Sequence, residues 1–439
     1  MISDPAAYKS PAGPLKHVWI TIADIKASTN PDARAGDSSF VDLTPGLSAA
    51  PQQVDLLGQA DSQGFLGSLS VSKQIPPGDY RQVRVFLAPD TAASTIERNA
   101  CGASYSNCVV PVDNSLRDLQ LPPSTAKGIV ISPNEIAHAS IGLNAGDQSV
   151  VDVDFDTCSS ILQAENGAVQ FNPVIHVGVV SPSNDSIRGT VVSSATGQAL
   201  LGGTVVVALE QKDSTGTDRI VMRSAANSDG TFKLQPVPQG TYDLVAVGVD
   251  GANVSYSAGV ETGIQAGQLA GIIPLVPGSG EGTLQGLVTT QSAGPPPAGV
   301  SVAVQTSALQ ALPNGGPTIT VPLLPTLDPS NSLMLTASTT NGASCPAGVD
   351  CGAFSMHLPA TAPNVVACSE DTAKFTQQGN SAPDYAAESF AQIPGSGGIA
   401  GCVSTRLSAT ATPQGRSLVI NPNGNTTAAT LAFTQCGAM

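Results

Sequence analysis

The chain has 439 residues and a net charge of −15; 12% of its residues are charged and 4% aromatic, and it holds 45 Gly and 34 Pro. That length exceeds one ordinary core and implies several domains, while the acidic balance excludes a basic nucleic-acid face or a polybasic membrane patch. A mean hydropathy of +0.11 with 41% apolar residues excludes global disorder, and no apolar run approaches the roughly 18 residues of a spanning helix.

The pattern along the chain is strand-like. Short Val-, Ile- and Thr-rich runs alternate with Gly, Pro, Asn, Asp and Ser clusters, at His17–Ile25, Tyr80–Leu87, Ser149–Asp156, Gly203–Leu209 and Val300–Val304. One segment, Pro383–Gln392, reads as a short helix, with Ser381 as its cap, Asp384 in its first turn and Pro394 beyond its end. The expected class is all-β: tandem sandwiches of Greek-key or transthyretin-like topology with very little helix.

Two polar, turn-rich breaks, Ser181–Asp185 and Pro277–Gly282, divide the chain into domains expected at 1–182, 186–277 and 283–439. Residues 1–184 carry ten basic and eighteen acidic side chains, whereas 279–439 carry three and seven. The last segment therefore repels neighbours weakly, which permits packing against a partner or another copy. It also echoes the middle one in four successive places. Ile187–Val191 matches Leu284–Val288, Gly203–Val207 matches Gly299–Ala303, Asp229–Leu234 matches Cys351–Met356, and each copy closes on an apolar strand, Ala270–Pro274 and Ala429–Phe433. A shared order of elements is the mark of an internal duplication.

Two families are resembled. The run Ile187-x-Gly-x-Val191, Gly202–Val206, Asn227–Leu234 and Val237–Leu244 resembles the carboxypeptidase regulatory-like domain. That resemblance implies a small transthyretin-like sandwich with Phe232, Leu234 and Tyr242 in its core, and it assigns no function. Ile2–Ala6, Val18–Ile22, Val54–Leu57, Ile75–Arg84, Asp152–Asp156 and Asn172–Ile175 resemble the domain of unknown function 4382 of prokaryotic surface proteins and lipoproteins. The family's strand ahead of Asp4-Pro5 is expected to be missing here together with a secretion signal, leaving a sheet edge that another chain could fill.

The eight cysteines lack zinc-type pairs. Cys101 with Cys108 and Cys345 with Cys351 suit bridges across small polar loops, and Cys368 with Cys402 a third. Cys158 and Cys436 are left as a pair or as free thiols. Disulfides imply an oxidising compartment, secreted or at the cell envelope. Asp152, Asp154 and Asp156 alternate along a strand, so one face carries three carboxylates. These are weak calcium candidates; an ordinary solvated face is the favoured reading. No metalloprotease, phosphate-loop or nucleophile-elbow motif is present, and His17 and His176 lie in strand patterns that suit structural roles. Trp19 reads as core and Tyr105 as the best exposed aromatic. No catalytic residue and no cofactor follow from the sequence. The function expected is a non-enzymatic, modular surface or secreted protein with a structural, adhesive or self-assembling role, its partners being other surface proteins, glycans or its own copies. A carbohydrate-binding module and an accessory subunit of a secreted hydrolase are the alternatives.

Overall fold

The computed structural model describes the chain except residues 4–14, 59–64, 70–72, 122, 147, 164–166, 181–184, 201, 253, 279, 291–301, 313–314, 324–333, 338–349, 368–374, 378–381, 394–401 and 434–439. The fold is all-β, with only short helical turns between strands. It divides into two compact units, one comprising Met1–Ser186 with Gln235–Gly240 and the other Ile187–Leu234 with Thr241–Met439.

The first unit is organised around β2 (Leu15–Ser28), following β1 (Ile2–Ser3). Val18, Ile20 and Ile22 alternate into the core at 0% exposure, as a half-buried strand requires. Later strands are β3 (Phe65–Gly67), β4 (Gln82–Leu87), β5 (Cys108–Pro111), β6 (Arg117–Gln120), β7 (Val150–Phe155) and β8 (Ile175–Val180). The larger sheet seats β2 between β4 and β5, and the smaller runs β8-β7-β1-β3. Ile2 and Ser3 thus hold an inner position, parallel to Val153 and Asp154 and antiparallel to β3. β7 is therefore paired on both of its edges, by β1 and β8.

The second unit contains two sandwiches of the same strand order. The first is built from β9 (Ile187–Ser193), β10 (Thr204–Lys212), β11 (Asp218–Ala225), β12 (Thr231–Leu234), β13 (Thr241–Val249), β14 (Gly259–Gln265) and β15 (Leu269–Leu275). The second uses β16 (Glu281–Thr290), β17 (Val302–Ala311), β18 (Thr318–Val321), β19 (Asp350–Pro359), β21 (Asp384–Ile393), β22 (Cys402–Ala409), β23 (Asn425–Thr427) and β24 (Leu431–Phe433), whereas β20 (Asn364–Ala367), between β19 and β21 in sequence, joins the first, parallel to β14. One sheet reads β12-β9-β15 in the first and β19-β16 flanked by β23 and β24 in the second; the other reads β11-β10-β13-β14, extended by β20, in the first and β18-β17-β21-β22 in the second.

The register repeats as well. Ile187 pairs with Leu234 and Gly189 with Phe232; Leu284 pairs with Met356 and Gly286 with Phe354. A methyl group at Gly189 would come within 2.9 Å of the Phe232 ring, and one at Gly286 within 2.5 Å of the Phe354 ring. Each glycine is there because the opposite aromatic lies flat over it. Between Arg188 and Val191 the parallel partner advances from Leu269 to Ile273, and between Gln285 and Val288 it advances from Thr427 to Leu431. The same extra residue is therefore carried by the same strand in both sandwiches.

The helix expected at Pro383–Gln392 is instead β21, the inner strand between β17 and β22. Tyr385, Ala387 and Ser389 are buried in alternation. Pairing on both edges outweighs the helix preference of its Ala and Glu residues. Ser381 and Pro394 lie outside the described residues.

Candidate functional site: the buried polar junction and the covalent loop

The densest buried chemistry lies where the two sandwiches meet. Arg219, on β11, sends both terminal nitrogens to the carboxylate of Glu388 on β21, one of them at 3.0 Å, and its Nε to Asp213 at 2.9 Å. Arg406 on β22 reaches Glu388 Oε1 at 3.3 Å, and the Ser408 hydroxyl donates to Oε2 at 3.2 Å. Asp213 is held by the Thr215 and Thr217 amides at 2.8 and 3.1 Å. Every participating oxygen is thus matched, as a buried ion pair requires if it is not to cost more than it contributes. Burial alone would lower the pKa of Arg219, but its bonds to Glu388 and Asp213 outweigh that and raise it.

Beside this network sits a group of acids. Glu210, at 0% exposure, ends an unbroken buried run, Val205–Glu210, on β10. Its Oε2 accepts the Thr320 amide at 3.0 Å, while the Thr320 hydroxyl donates to the Asp218 carbonyl at 2.7 Å. In register, Glu210 lies opposite Asp243 on β13. Burial pushes the Glu210 carboxyl well up, with Asp218 and Asp243 adding repulsion. Burial also pushes Asp218 up, to about 7, assisted by the charge of Asp243 and the hydrogen bond between them, with Lys212 opposing. Among the described residues no group of three or more His, Cys, Asp or Glu is arranged to hold a metal ion.

That last statement includes Asp152, Asp154 and Asp156. The solvated face expected for them is overturned, since they are 3%, 4% and 9% exposed. β7 is paired on both edges, by β8 and β1, and both its faces are covered, since Asp152, Val153, Asp154 and Phe155 are buried in succession; all three aspartates make polar or ionic interactions.

Cys101 is joined to Cys108, with Cα atoms 5.6 Å apart. The loop between them is packed by polar groups: Asn99 donates to the Gly102 and Tyr105 carbonyls at 2.6 and 2.8 Å, and Asn107 accepts the Thr21 amide of β2 at 2.8 Å. Cys351 is also disulfide-bonded. Cys345, Cys368 and Cys436 lie outside the described residues, as do the side chains of Cys158 and Cys402. Tyr105 is half-buried rather than exposed, and Trp19, expected in the core, is half-buried with its ring stacked on His17 at 5.8 Å. His17 in turn binds Asp55 at 2.6 Å. Trp19 is turned outward because β2 alternates and Val18 and Ile20 take the inner face.

The sequence reading missed Glu210, Asp218, Asp243 and the Arg219–Glu388 pair. The available signal was an acid at the end of the continuous apolar run Val205–Leu209, in a chain where few residues are charged.

No described helix is long and apolar enough to cross a membrane. None of the curated proteins matches the chain. Among solved structures, the Bacillus anthracis TIE protein is 10% identical with a TM-score of 0.16; the match covers 99% of this chain and 49% of that one, so this chain spans about half its length. The minor pilin of Streptococcus agalactiae is 11% identical with a TM-score of 0.19, over 58% of this chain and 97% of that one. A shaft pilin from Lactobacillus rhamnosus GG is 8% identical with a TM-score of 0.16, over 56% of this chain and 98% of that one. Scores of this size carry no argument about function. Residues 2–173 match the family described as "Domain of unknown function (DUF4382)". That match lies within the first unit, and the family's description assigns no activity.

Proposed function

We propose that this chain is a non-enzymatic, modular protein of the cell surface or the secreted fraction, with a structural or adhesive role that includes assembly with its own copies. The observation that carries the reading is the pair of sandwiches of one strand order, locked together by the buried Arg219–Glu388 pair. The charges of Arg219, Glu388 and Asp213 are matched within the junction, whereas a reaction centre needs convergent groups left available to a substrate. The Cys101–Cys108 bridge supports an oxidising compartment. The middle segment, 186–277, is read as a regulatory-like sandwich and 283–439 as its divergent copy, supported by the repeated register and the repeated extra residue.

Protease shaving of intact cells, with mass spectrometry of the released peptides, tests the compartment. The expected result is release of this chain's peptides with Cys101 and Cys108 still bridged. Recovery only from the cytosolic fraction, with both thiols free, would contradict it. The glycan-binding alternative is less well supported, because every described aromatic side chain is at least half-buried and stacking on sugars needs an open ring.

A further inference from the structure

Four large apolar side chains are exposed among the described residues: Val112 at 54%, Leu116 at 42%, Leu269 at 67% and Ile272 at 65%. Single exposed aliphatics are ordinary, but these fall into two pairs, and each pair has charged neighbours.

Leu269 and Ile272 lie on β15, on the outer face of the β12-β9-β15 sheet. In register, Lys233, Arg188 and Leu269 form one row across the three strands, and Thr231, Thr190 and Ile272 the next. Lys233 and Arg188 are exposed, directly opposite each other, and make no ion pair among the described residues. Like charges in that position destabilise a sheet unless an anion compensates them. The sister sandwich supplies an internal control. Its corresponding row is Ser355, Gln285 and Thr427, with Gln285 donating to the Thr427 hydroxyl at 3.2 Å, and Thr430 precedes Leu431 as Ile272 precedes Ile273. The fold is therefore satisfied by a neutral polar face, so the cationic, aliphatic one is not a requirement of packing. Addition of a strand to the β15 edge is disfavoured, because Gly271 at φ +67 and the extra residue kink it and Pro274 offers no N–H. What is presented is the face.

The other pair, Val112 and Leu116, sits in the turn between β5 and β6 and flanks Asp113. Hydrogen bonds from the Ser115 hydroxyl and amide hold the Asp113 carboxyl below its usual range. Its partner Arg117, at 3.6 Å, is about half exposed like Asp113 itself, so that pair is weak and exchangeable. Lys16 is engaged with Asn114 at 2.7 Å. The surrounding segment is the acidic end of the sequence, with eighteen acidic against ten basic residues in 1–184.

We infer that these two patches are the halves of a head-to-tail contact between copies of this chain. The Lys233–Arg188–Leu269–Ile272 face of one copy receives the Val112–Leu116 turn of the next, Asp113 exchanging its exposed pair with Arg117 for a place between the two cations and the aliphatic pairs packing together. The inference rests on the self-assembly part of the proposed function. Because the two patches differ, the contact is heterologous: each copy keeps one free half, and assembly proceeds to a ring or a chain. The small area makes it weak and concentration-dependent.

Sedimentation velocity on the full chain, from tens to hundreds of micromolar, tests it with two variants. One carries Arg188→Gln, Lys233→Ser, Leu269→Thr and Ile272→Thr, the residues of the sister sandwich; the other carries Val112→Ser, Asp113→Asn and Leu116→Ser. The native chain is expected to grow past the dimer, more so at low salt. Each variant alone is expected to associate at least about tenfold more weakly, with unchanged circular dichroism. Mixed together, the variants should form a species that stops at two copies. A native chain that stays monomeric, a face variant that assembles like the native chain, or a mixture that does not pair would overturn the contact. Surface shaving of cells expressing either variant separates the two readings: peptides still released show that the compartment stands without the contact.

Discussion

The two sandwiches of the second unit agree on the inside and differ on the outside. Both place a glycine beneath an aromatic, Gly189 under Phe232 and Gly286 under Phe354, and both pair an aliphatic one step earlier, Ile187 with Leu234 and Leu284 with Met356. Outward, Arg188, Lys233, Leu269 and Ile272 in one stand where Gln285, Ser355, Thr427 and Thr430 stand in the other. The buried half of a sheet is fixed by packing, since a changed volume there is felt at once. The outer half is free to vary, so a departure on it that works against sheet stability points to something other than folding.

The largest effect is expected at the junction that couples the pair. Glu388→Gln removes the shared anion of Arg219 and Arg406, and urea unfolding of the full chain should show a loss of about 3–5 kcal/mol. A loss below about 1 kcal/mol would mean that the two sandwiches do not depend on this pair. Next, Gly189→Ala and Gly286→Ala each push a methyl into an aromatic ring and should cost about 1–3 kcal/mol. Equal costs sharpen the comparison, and a tolerated alanine in either sandwich breaks it.

A smaller effect separates the sandwiches by pH. Asp218 is raised from the ordinary carboxylate value to about 7, burial being the first cause and Asp243 the second. A raised folded-state pKa gives stability that is full below the unfolded value and is lost as pH rises through about 7. Asp218→Asn should therefore melt like the native chain at pH 4 and a few degrees higher at pH 8. Part of the slope remains, because Glu210 is raised in the same direction. Identical melting curves at pH 8 would show that burying the Asp218 carboxyl contributes nothing. The smallest effect is expected from exchanging the outer faces: Arg188→Gln with Lys233→Ser should leave stability within about 0.5 kcal/mol by the same urea titration. A large loss would make that face part of the fold after all.

Much of this architecture was legible in the sequence. The alternation at Val18–Ile22 placed a strand correctly, and the echo of Ile187–Val191 in Leu284–Val288 coincides with the two strands that hold equivalent places in their sheets. Local pattern failed where non-local pairing decides. Asp384–Ile393 has helix-favouring residues and a plausible cap, yet its ladder partners are Ala303–Leu309 and Cys402–Ala409. Asp152–Asp156 looked half-exposed because alternation shows which residues share a face but not whether that face is covered. The junction was invisible for the same reason: Arg219 and Glu388 are 169 positions apart, and nothing near either one announces the other. Cys101 and Cys108, seven residues apart in a polar loop, were legible because closure there is local.

The central claim is that the second unit holds two sandwiches of one strand order, with β21 an inner strand equivalent to β13. Hydrogen exchange of the full chain, read by mass spectrometry, tests it most directly. The account predicts that Asp384–Ile393 is protected as strongly as Thr241–Val249, and that both lose protection together in Glu388→Gln. Rapid exchange across Asp384–Ile393, with Thr241–Val249 still protected, would contradict it.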